Sequence, residues 1–293
     1  MKYLFPLLAL FLFACGAEPN ADTTTPEAEA TEPKIPTLTK VWETDTLMTT
    51  AEAVHYDPQR QEIFVSNINN GPWEKDNNGF ISRIDLDGKI LERQWATGGM
   101  SAPKGMTIKG DKLYVADLGD LVEIQLPRGE ITNRYNYEGR GRFNDITMDP
   151  AGTLYVSASD GTEVFALRNG ELEVAVDSLQ SPNGVLHDGK RLMIAQWNAK
   201  ALSEADLDTK IATIRTGGIN NPDGIKALPN GGYLVSSWEG KITYVDPEWN
   251  AHELLDTSAD KIGAADIEYI ADQNLLIVPT FFDNRVMAYR VDL

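Results

Sequence analysis

The sequence predicts an all-β fold, a six-bladed β-propeller. A segment of one construction occurs six times along the 293 residues, at spacings of 52, 40, 39, 40 and 42. A repeat of about 40 residues made of short strands is typical of propellers. The chain also has a surplus strand before the first full repeat and a shortened last repeat. We therefore predict that the N-terminal strand completes the last blade, which closes the ring and removes exposed sheet edges.

The repeated segment is clearest in Arg142–Ser157, RFNDITMDPAGTLYVS. We call its polar position the ring position, and the six copies hold Glu52, Lys104, Asn144, Asn183, Asp223 and Ala265. An apolar residue follows two places later in every copy: Val54, Met106, Ile146, Val185, Ile225 and Ile267. The innermost strand of each blade lines the central channel, so the ring positions are predicted to surround one mouth of it. Their variation among carboxylate, amide and amine indicates a binding site rather than packing.

The N-terminal residues predict export and anchoring. Residues 1–14 combine a short basic start with an apolar run too brief to span a bilayer, which is typical of a signal peptide. The four residues ending at Cys15, LFAC, resemble the bacterial lipobox, which implies cleavage before Cys15 and lipidation of its thiol. An ordinary signal peptide with an incidental cysteine is the alternative. The expected location is the bacterial cell envelope, at the outer membrane, in the periplasm or on the cell surface.

The next segment, residues 15–36, begins with the lipidated cysteine and is rich in Pro, Thr, Ala and acidic residues. It has no apolar periodicity, so it is predicted to be a disordered tether. The folded domain is predicted to occupy residues 37–293. We expect it to be a monomer. It is also expected to lack internal disulfides, because Cys15 is the only cysteine.

The overall charge limits the partners. The chain has 26 Lys plus Arg against 44 Asp plus Glu, a net charge of −18. This disfavours binding of nucleic acids or anionic membrane surfaces, since both need a basic footprint. Membrane contact is therefore expected only through the lipid anchor. A cationic partner such as a metal ion is compatible with the charge.

The loops between the second and third strands of each repeat return to the mouth that the ring positions surround. They carry aromatic and acidic side chains: Trp73, Asp117, Asp120, Asp160, Trp197, Trp238, Phe281, Phe282 and Asp283. We predict a small-molecule pocket there, with Trp73, Trp197 and Trp238 contacting the substrate. Alternatively, the aromatic rings only shield the blade edges. The longest such loop, Ser66–Gly79, is a candidate lid.

The residue types at the ring positions predict a metal site. Glu52 and Asp223 supply two negative charges, and Asn144 and Asn183 supply neutral amide oxygens. Hard divalent cations prefer all-oxygen sets, so Ca²⁺ is expected first, with Zn²⁺, Mn²⁺ or Mg²⁺ as alternatives. The competing interpretation is that Pro-Asn-Gly and Pro-Asp-Gly are turn sequences. It does not explain Glu52 and Asn144, which lack the following glycine.

Four of these segments together carry a resemblance. AEAVHYDP around Glu52, RFND at residues 142–145, PNG around Asn183 and PDG around Asp223 resemble the senescence marker protein/gluconolactonase/luciferin-regenerating enzyme family of six-bladed propellers. The resemblance implies that Glu52, Asn183 and Asp223 bind a divalent metal. It also implies that Arg142 and Asn144 contact substrate, with Asn144 a further candidate for the metal shell. The related paraoxonases similarly use Glu, Asn, Asn and Asp around calcium.

The chain departs from this pattern at two places. Lys104 occupies a ring position, where an ammonium would either contact substrate or replace the metal by pairing with Glu52 and Asp223. No histidine occupies a ring position, so a paraoxonase-like histidine base is not expected. His55 and His187 fall further along the inner strands and are predicted to pack in the channel wall.

The function predicted from these residues is hydrolysis of a lactone or ester. The metal would polarise the carbonyl, Asp223 would accept a proton from water, and Arg142 and Asn144 would orient the substrate. The sequence does not specify the substrate, because propellers host unrelated functions. The alternative is a non-catalytic, envelope-anchored propeller that binds a small molecule or a protein, which Lys104 and the unfilled position at Ala265 favour.

Overall fold

The structure is a computed structural model that describes residues 34–137, 139–168 and 170–293. The predicted signal peptide, Cys15 and the tether up to residue 33 lie outside the described residues. No helix in the described part of the chain is long and apolar enough to cross a membrane. The described residues form 24 strands and two short 3₁₀ helices.

The strands form six sheets of four strands, the blades, and each is antiparallel throughout. The first strand of the chain is β1, Thr37–Glu43. Blade 1 contains β2 Ala51–Asp57, β3 Glu62–Asn67, β4 Gly79–Ile84 and β5 Ile90–Met100. Blade 2 contains β6 Pro103–Lys109, β7 Lys112–Asp117, β8 Asp120–Gln125 and β9 Glu130–Asn136. Blade 3 contains β10 Phe143–Met148, β11 Leu154–Ala158, β12 Val164–Arg168 and β13 Glu171–Val176.

The remaining blades follow the same order from the channel outward. Blade 4 contains β14 Pro182–Asp188, β15 Arg191–Gln196, β16 Ala201–Asp206 and β17 Ala212–Gly217. Blade 5 contains β18 Pro222–Ala227, β19 Tyr233–Ser237, β20 Lys241–Val245 and β21 Ala251–Asp256. Blade 6 contains β22 Glu268–Ile270, β23 Leu275–Pro279, β24 Val286–Asp292 and, as its outermost strand, β1. The 3₁₀ helices are Ser258–Asp260 and Ala271–Gln273.

The predicted closure of the ring is confirmed. Strand β1 pairs antiparallel with β24 from Thr37 opposite Asp292 to Glu43 opposite Met287. The first and last strands of the propeller therefore belong to one sheet. This pairing gives the free hydrogen-bonding edge of β24 a partner, as a strand edge requires.

The apolar residues two places after the ring positions pack between neighbouring blades. Met106 of blade 2, for example, belongs to the same buried cluster as Phe64 and Ile81 of blade 1. Ile267 similarly joins Leu234 and Ile242 across the boundary between blades 5 and 6. Full burial of such side chains contributes about 1.5–3 kcal/mol each. The core is thus distributed around the ring, and the channel is left for polar residues.

A β-bulge lies at the ring position in five blades. In β2, for example, regular pairing with β3 breaks between Ala51 and Val54, on either side of Glu52. The same break surrounds the ring positions of β6, β10, β14 and β18. A bulge bends the strand and redirects a side chain. It therefore turns the ring residue toward the channel mouth while the apolar residue after it stays in the core.

Serines of the second strands stabilise three of these bulges. Ser66, Ser157 and Ser236 each accept a hydrogen bond from the backbone N–H that follows a ring position, at 2.8–3.0 Å. The bulge would otherwise leave this buried N–H without a partner, which costs about 1–3 kcal/mol. The serine in the sequences VSN, VSA and VSS is thus explained by the geometry of the neighbouring strand.

Candidate active site

One cavity of about 380 Å³ opens at the mouth that the ring positions surround. It brings together every site residue predicted within the propeller. Its lining contains Glu52, Pro72, Trp73, Lys104, Arg142, Asn144, Ser159, Asp160, Ser181, Asn183, Trp197, Asn198, Asp223, Trp238 and Phe281. Residues of all six blades contribute, so the cavity exists only in the closed ring.

Each of the four predicted metal ligands has one buried side-chain oxygen without a hydrogen-bond partner. These atoms are Glu52 Oε2, Asn144 Oδ1, Asn183 Oδ1 and Asp223 Oδ1. A buried polar atom without a partner costs about 1–3 kcal/mol, so four at one place call for an explanation. A divalent cation accepts oxygens of this kind as ligands. The donor set therefore fits a hard divalent cation.

Histidine and cysteine take no part in this set. Within the described residues, no group of three or more His, Cys, Asp or Glu side chains is arranged to hold a metal. The ring supplies only two carboxylates, and the other two oxygens come from amides. This composition favours Ca²⁺, which accepts amide and water oxygens, over metals that prefer nitrogen or sulfur.

Lys104 forms a buried ion pair with Glu52. Its Nζ donates a hydrogen bond to Glu52 Oε1 at 3.0 Å, and the Lys104 side chain is only 2% exposed. The pair uses one oxygen of Glu52 and leaves Oε2 without a partner. Lys104 thus neutralises one charge of the ring, but it does not satisfy Asp223 or either amide.

Burial dominates the electrostatics of the two ring carboxylates. It raises the pKa of Glu52, although the ammonium of Lys104 acts in the opposite direction. It also raises the pKa of Asp223 well above its usual value, and the charge of Glu52 raises it further. Like charges in a water-poor site disfavour a second ionised group. A bound cation would reverse this effect by stabilising both ionised forms.

A second pair of carboxyl groups lies next to the ring. Asp145 and Asp266, each one residue after a ring position, are buried. Asp145 accepts hydrogen bonds from the N–H groups of Ile146 and Val185 at 2.6 and 2.7 Å. Burial raises the pKa of both carboxyls, and the charge of Asp145 raises the pKa of Asp266 further.

Two glycines leave the space that these carboxyls occupy. A Cβ on Gly105 would lie 2.4 Å from Asp145 Oδ1, and a Cβ on Gly224 would lie 2.5 Å from Asp266 Oδ1. Real Cβ atoms do not approach other atoms so closely. The glycines after the ring positions of blades 2 and 5 are therefore needed for the packing of neighbouring blades, in addition to any role in turns.

An ion cluster that was not predicted from the sequence lies further along the inner strands. Glu268 Oε2 lies 3.7 Å from Lys226 Nζ and 3.3 Å from His55 Nδ1. Although burial acts to raise it, the charges of Lys226 and His55 lower the pKa of Glu268 to about 2. Burial acts to lower the pKa of Lys226, but Glu268, Asp266 and Asp145 outweigh this effect and raise it. All three cluster residues stand three places after a ring position, a spacing that could have identified them.

His187 has a different environment. Its ring stacks on Tyr155, with 6.0 Å between ring centroids. His187 therefore packs against a neighbouring blade, and neither it nor His55 lines the cavity.

Trp73, on the predicted lid loop, contacts two cations. Lys104 Nζ is 4.5 Å from its ring centroid and Arg142 Cζ is 5.3 Å from it. Such cation–π contacts contribute about 0.5–2 kcal/mol each, depending on exposure. Arg142 also lies 3.6 Å from Asp160 through Nε. The loop Ser66–Gly79 is thus attached to the cationic side of the cavity.

Some loop residues expected at the mouth lie elsewhere. Asp117 and Asp120 pair with Arg134 and line a neighbouring polar cavity. Asp283 pairs with Arg285. In contrast, Ser159, Ser181 and Asn198 line the central cavity although no pattern in the sequence identified them. Their positions follow from loop conformation.

Comparison with solved structures supports the architecture. An X-ray structure of a protein provisionally named a gluconolactonase superposes with a TM-score of 0.67 at 15% identity, over 89% of this chain and 93% of that one. A streptogramin B lyase superposes with a TM-score of 0.63 at 13% identity, over 88% of this chain and 98% of that one. Virginiamycin B lyase from Staphylococcus aureus superposes with a TM-score of 0.60 at 14% identity, over 87% of this chain and 99% of that one. At these identities the likeness shows the fold alone.

Comparison of sequences gives the family. No curated protein matches the chain. The sequence profile of the SMP-30/Gluconolactonase/LRE-like region matches residues 50–263, which contain all the ring positions except Ala265. This is the family that the segments around Glu52, Asn144, Asn183 and Asp223 resemble. The chain therefore belongs to the SMP-30/gluconolactonase/LRE-like family.

Proposed function

We propose that the protein is a metal-dependent hydrolase of a lactone or an ester, with a divalent cation at the mouth of the channel. The observation that carries the proposal is the convergence of four buried oxygens without partners, from Glu52, Asn144, Asn183 and Asp223. Membership of a family that includes gluconolactonases supports a lactonase-type hydrolase. The cavity above the ring is large enough for a small substrate.

The charges favour the same conclusion. In their ionised forms, Glu52 and Asp223 carry two negative charges in a buried site, against one positive charge on Lys104. One carboxylate charge remains uncompensated, so a divalent cation is attracted even in the presence of Lys104. When bound, the cation would polarise the carbonyl group of an ester or lactone and activate water.

The residues of the chain have separate tasks in this reaction. Asp223 accepts the proton of the attacking water at its carboxylate. Arg142 and Asn144, both on the cavity wall, donate hydrogen bonds that orient the carbonyl or hydroxyl groups of the substrate. Trp73 contacts the ammonium of the buried Lys104 and the guanidinium of the half-exposed Arg142, so it holds both cations at the cavity.

We propose Ca²⁺ as the first candidate for the cation, since the ligands are carboxylate and amide oxygens. The experiment that tests the function is hydrolysis of a panel of aldonolactones and aryl esters by the metal-stripped protein. Ca²⁺, Mn²⁺, Zn²⁺ and Mg²⁺ are added back separately, and a chelator serves as the control. Hydrolysis that requires one of these ions supports the proposal. Absence of hydrolysis with every ion contradicts it.

A second candidate function rests on the Lys104–Glu52 ion pair. An ammonium 3.0 Å from a ring carboxylate would suit a metal-free protein that binds a small molecule or a protein partner without cleaving it. This candidate leaves Asp223 and two amide oxygens without partners, which is why we rank it second. Binding of divalent cations by the wild-type protein separates the two candidates.

A further inference from the structure

The two sides of the central cavity differ in chemistry. Trp73, Lys104 and Arg142 belong to blades 1, 2 and 3 and form a cationic side. Trp197, Trp238 and Phe281 belong to blades 4, 5 and 6 and form an aromatic side. The order of the blades around the ring places these sides opposite each other. A ligand that uses both must therefore be polar at one end and apolar at the other.

The aromatic side continues beyond the cavity. Trp238 contacts Phe281 at 5.4 Å and Phe282 at 5.8 Å between ring centroids, edge to face in both pairs. Phe282 does not line the central cavity and is 60% exposed. An exposed aromatic side chain loses the free energy that its burial would supply. Its contact with Trp238 extends the aromatic side of the cavity onto the protein surface.

A second cavity of about 340 Å³ lies along this surface. It shares Trp238 and Phe281 with the central cavity and adds Phe282. Glu239, Ser258 and Lys261 supply the polar part of its lining. The two cavities are therefore neighbours on either side of Trp238 and Phe281.

The loop that carries the two phenylalanines is held in a demanding conformation. Phe281 has a φ of +53°, in the left-handed region that bulky side chains rarely adopt. Its N–H donates a hydrogen bond to the carbonyl of Ala51, the residue before Glu52, at 3.0 Å. The Thr280 hydroxyl donates to the Arg285 carbonyl at 2.8 Å and closes the loop. The aromatic surface is therefore fixed relative to the ring before any ligand binds.

We propose that the second cavity is a subsite for an apolar chain or aryl substituent of the substrate. The substrate class is then an amphipathic lactone or ester, with its carbonyl group over the ring and its apolar group on Trp238 and Phe282. This inference rests on the proposed function for the reacting group. A polyhydroxylated lactone without such a substituent would leave the surface at Phe282 uncovered, and we expect it to be a poor substrate.

The test compares γ-lactones that differ only in their alkyl chain: γ-butyrolactone, γ-octalactone and γ-decalactone. Burial of each CH₂ contributes roughly a fourfold gain in affinity, so a partly buried butyl chain should lower KM on the order of tenfold. In Phe282→Ser, the ratio of KM values between the short-chain and long-chain lactones should shrink by a factor of about three or more. Ile214→Ser is the matched control, because Ile214 is 53% exposed on the outer strand of blade 4 and lines none of these cavities.

Binding of the corresponding alkyl lactams, measured by calorimetry with Ca²⁺, separates this inference from the proposed function. Lactams lack the ester bond and report on the subsite without hydrolysis. If affinity rises with chain length and falls in Phe282→Ser, the subsite is supported even where no lactone is cleaved. If the lactones are cleaved but neither KM nor lactam affinity depends on chain length, the subsite is overturned and the hydrolase remains. Retention of the full preference in Phe282→Ser also overturns it.

Discussion

Lys104 and Glu52 form an ion pair between the inner strands of blades 2 and 1, with Nζ 3.0 Å from Oε1. Both side chains are almost completely buried, and the second oxygen of Glu52 has no partner. A buried charge that loses its partner is costly, so the pair fixes Glu52 at the ring. The same geometry leaves Oε2 available to a cation. The pairing with Lys104 therefore does not use both oxygens of Glu52.

The first prediction concerns Lys104→Met. We expect the wild-type protein to gain thermal stability from Ca²⁺, by about 2.7 kcal/mol when the ion is present at a hundred times its Kd. The variant should bind Ca²⁺ at least as tightly, because a repelling charge has been removed. Thermal unfolding of both proteins with and without Ca²⁺ measures this. A wild type indifferent to Ca²⁺ beside a variant stabilised by it would mean that Lys104 replaces the metal.

The second prediction compares two ligands. Asp223→Ala should weaken Ca²⁺ binding by about tenfold or more and by a larger factor than Asn183→Ala. Loss of a carboxylate leaves the cation under-neutralised, whereas water can replace an amide oxygen. Calorimetry gives both dissociation constants. Asp160→Asn is the control, since Asp160 lines the cavity but is not at a ring position; an equal effect there would argue against a specific ring site.

The third prediction is the acid sensitivity of the Lys226–Glu268 contact. The pKa of Glu268 lies at about 2, below its ordinary value of 4.5, and this difference corresponds to about 3 kcal/mol. The contribution is complete above pH 4.5 and is lost as the pH falls toward 2, because protonation then discharges Glu268. In Glu268→Gln, the free energy of unfolding should be lower at neutral pH and should vary less over this window.

Denaturant unfolding at several pH values between about 5 and 2.5 measures the third prediction. Glu130→Gln is the control, because Glu130 is largely exposed in a surface ion pair with Arg128. Such pairs contribute little to stability. If Glu268→Gln and Glu130→Gln change the pH dependence equally, the buried cluster does not stabilise the fold in this way.

The fourth prediction tests the bulge at Asp223. Ser236 accepts a hydrogen bond from the N–H of Gly224 and donates one to the Ala265 carbonyl in the next blade. Ser236→Ala leaves both groups without this partner, so we expect a loss of about 1–3 kcal/mol in the free energy of unfolding. Denaturant unfolding measures it. The exposed Ser178→Ala should change stability by less than about 0.5 kcal/mol, and an equally small effect for Ser236 would show that the bulge does not need its serine.

The fifth prediction concerns Cys15, which we propose as the site of lipidation. Cys15→Ser should move the protein from the membrane fraction to the soluble fraction, because stable anchoring requires more than one attached chain and a serine receives none. The folded domain should keep its melting temperature. Cell fractionation measures the change, and a variant that stays fully with the membrane would contradict lipidation.

The sequence by itself determined the architecture and the ring. Two patterns are visible in the sequence itself: the period of about 40 residues between ring positions such as Asn144 and Asn183, and the surplus strand at Thr37. The pleated backbone of a strand makes successive side chains point to opposite faces of the sheet. The first strand of each repeat is the one that lines the channel, because the strands of a propeller blade run from the channel outward. Six blades, their closure and the convergence of the ring residues could therefore be predicted without coordinates.

Only the tertiary structure decided which ring oxygens remain without partners and which residues surround them. Three contacts each join residues of different repeats or loops: the pairing of Lys104 with Glu52, the Lys226–Glu268 contact and the edge-to-face contact of Trp238 with Phe282. Such contacts depend on the bulges, the loop conformations and the side-chain rotamers together. A repeat shows that a residue faces the channel, but distances between blades determine whether it meets a cation, a carboxylate or an aromatic ring.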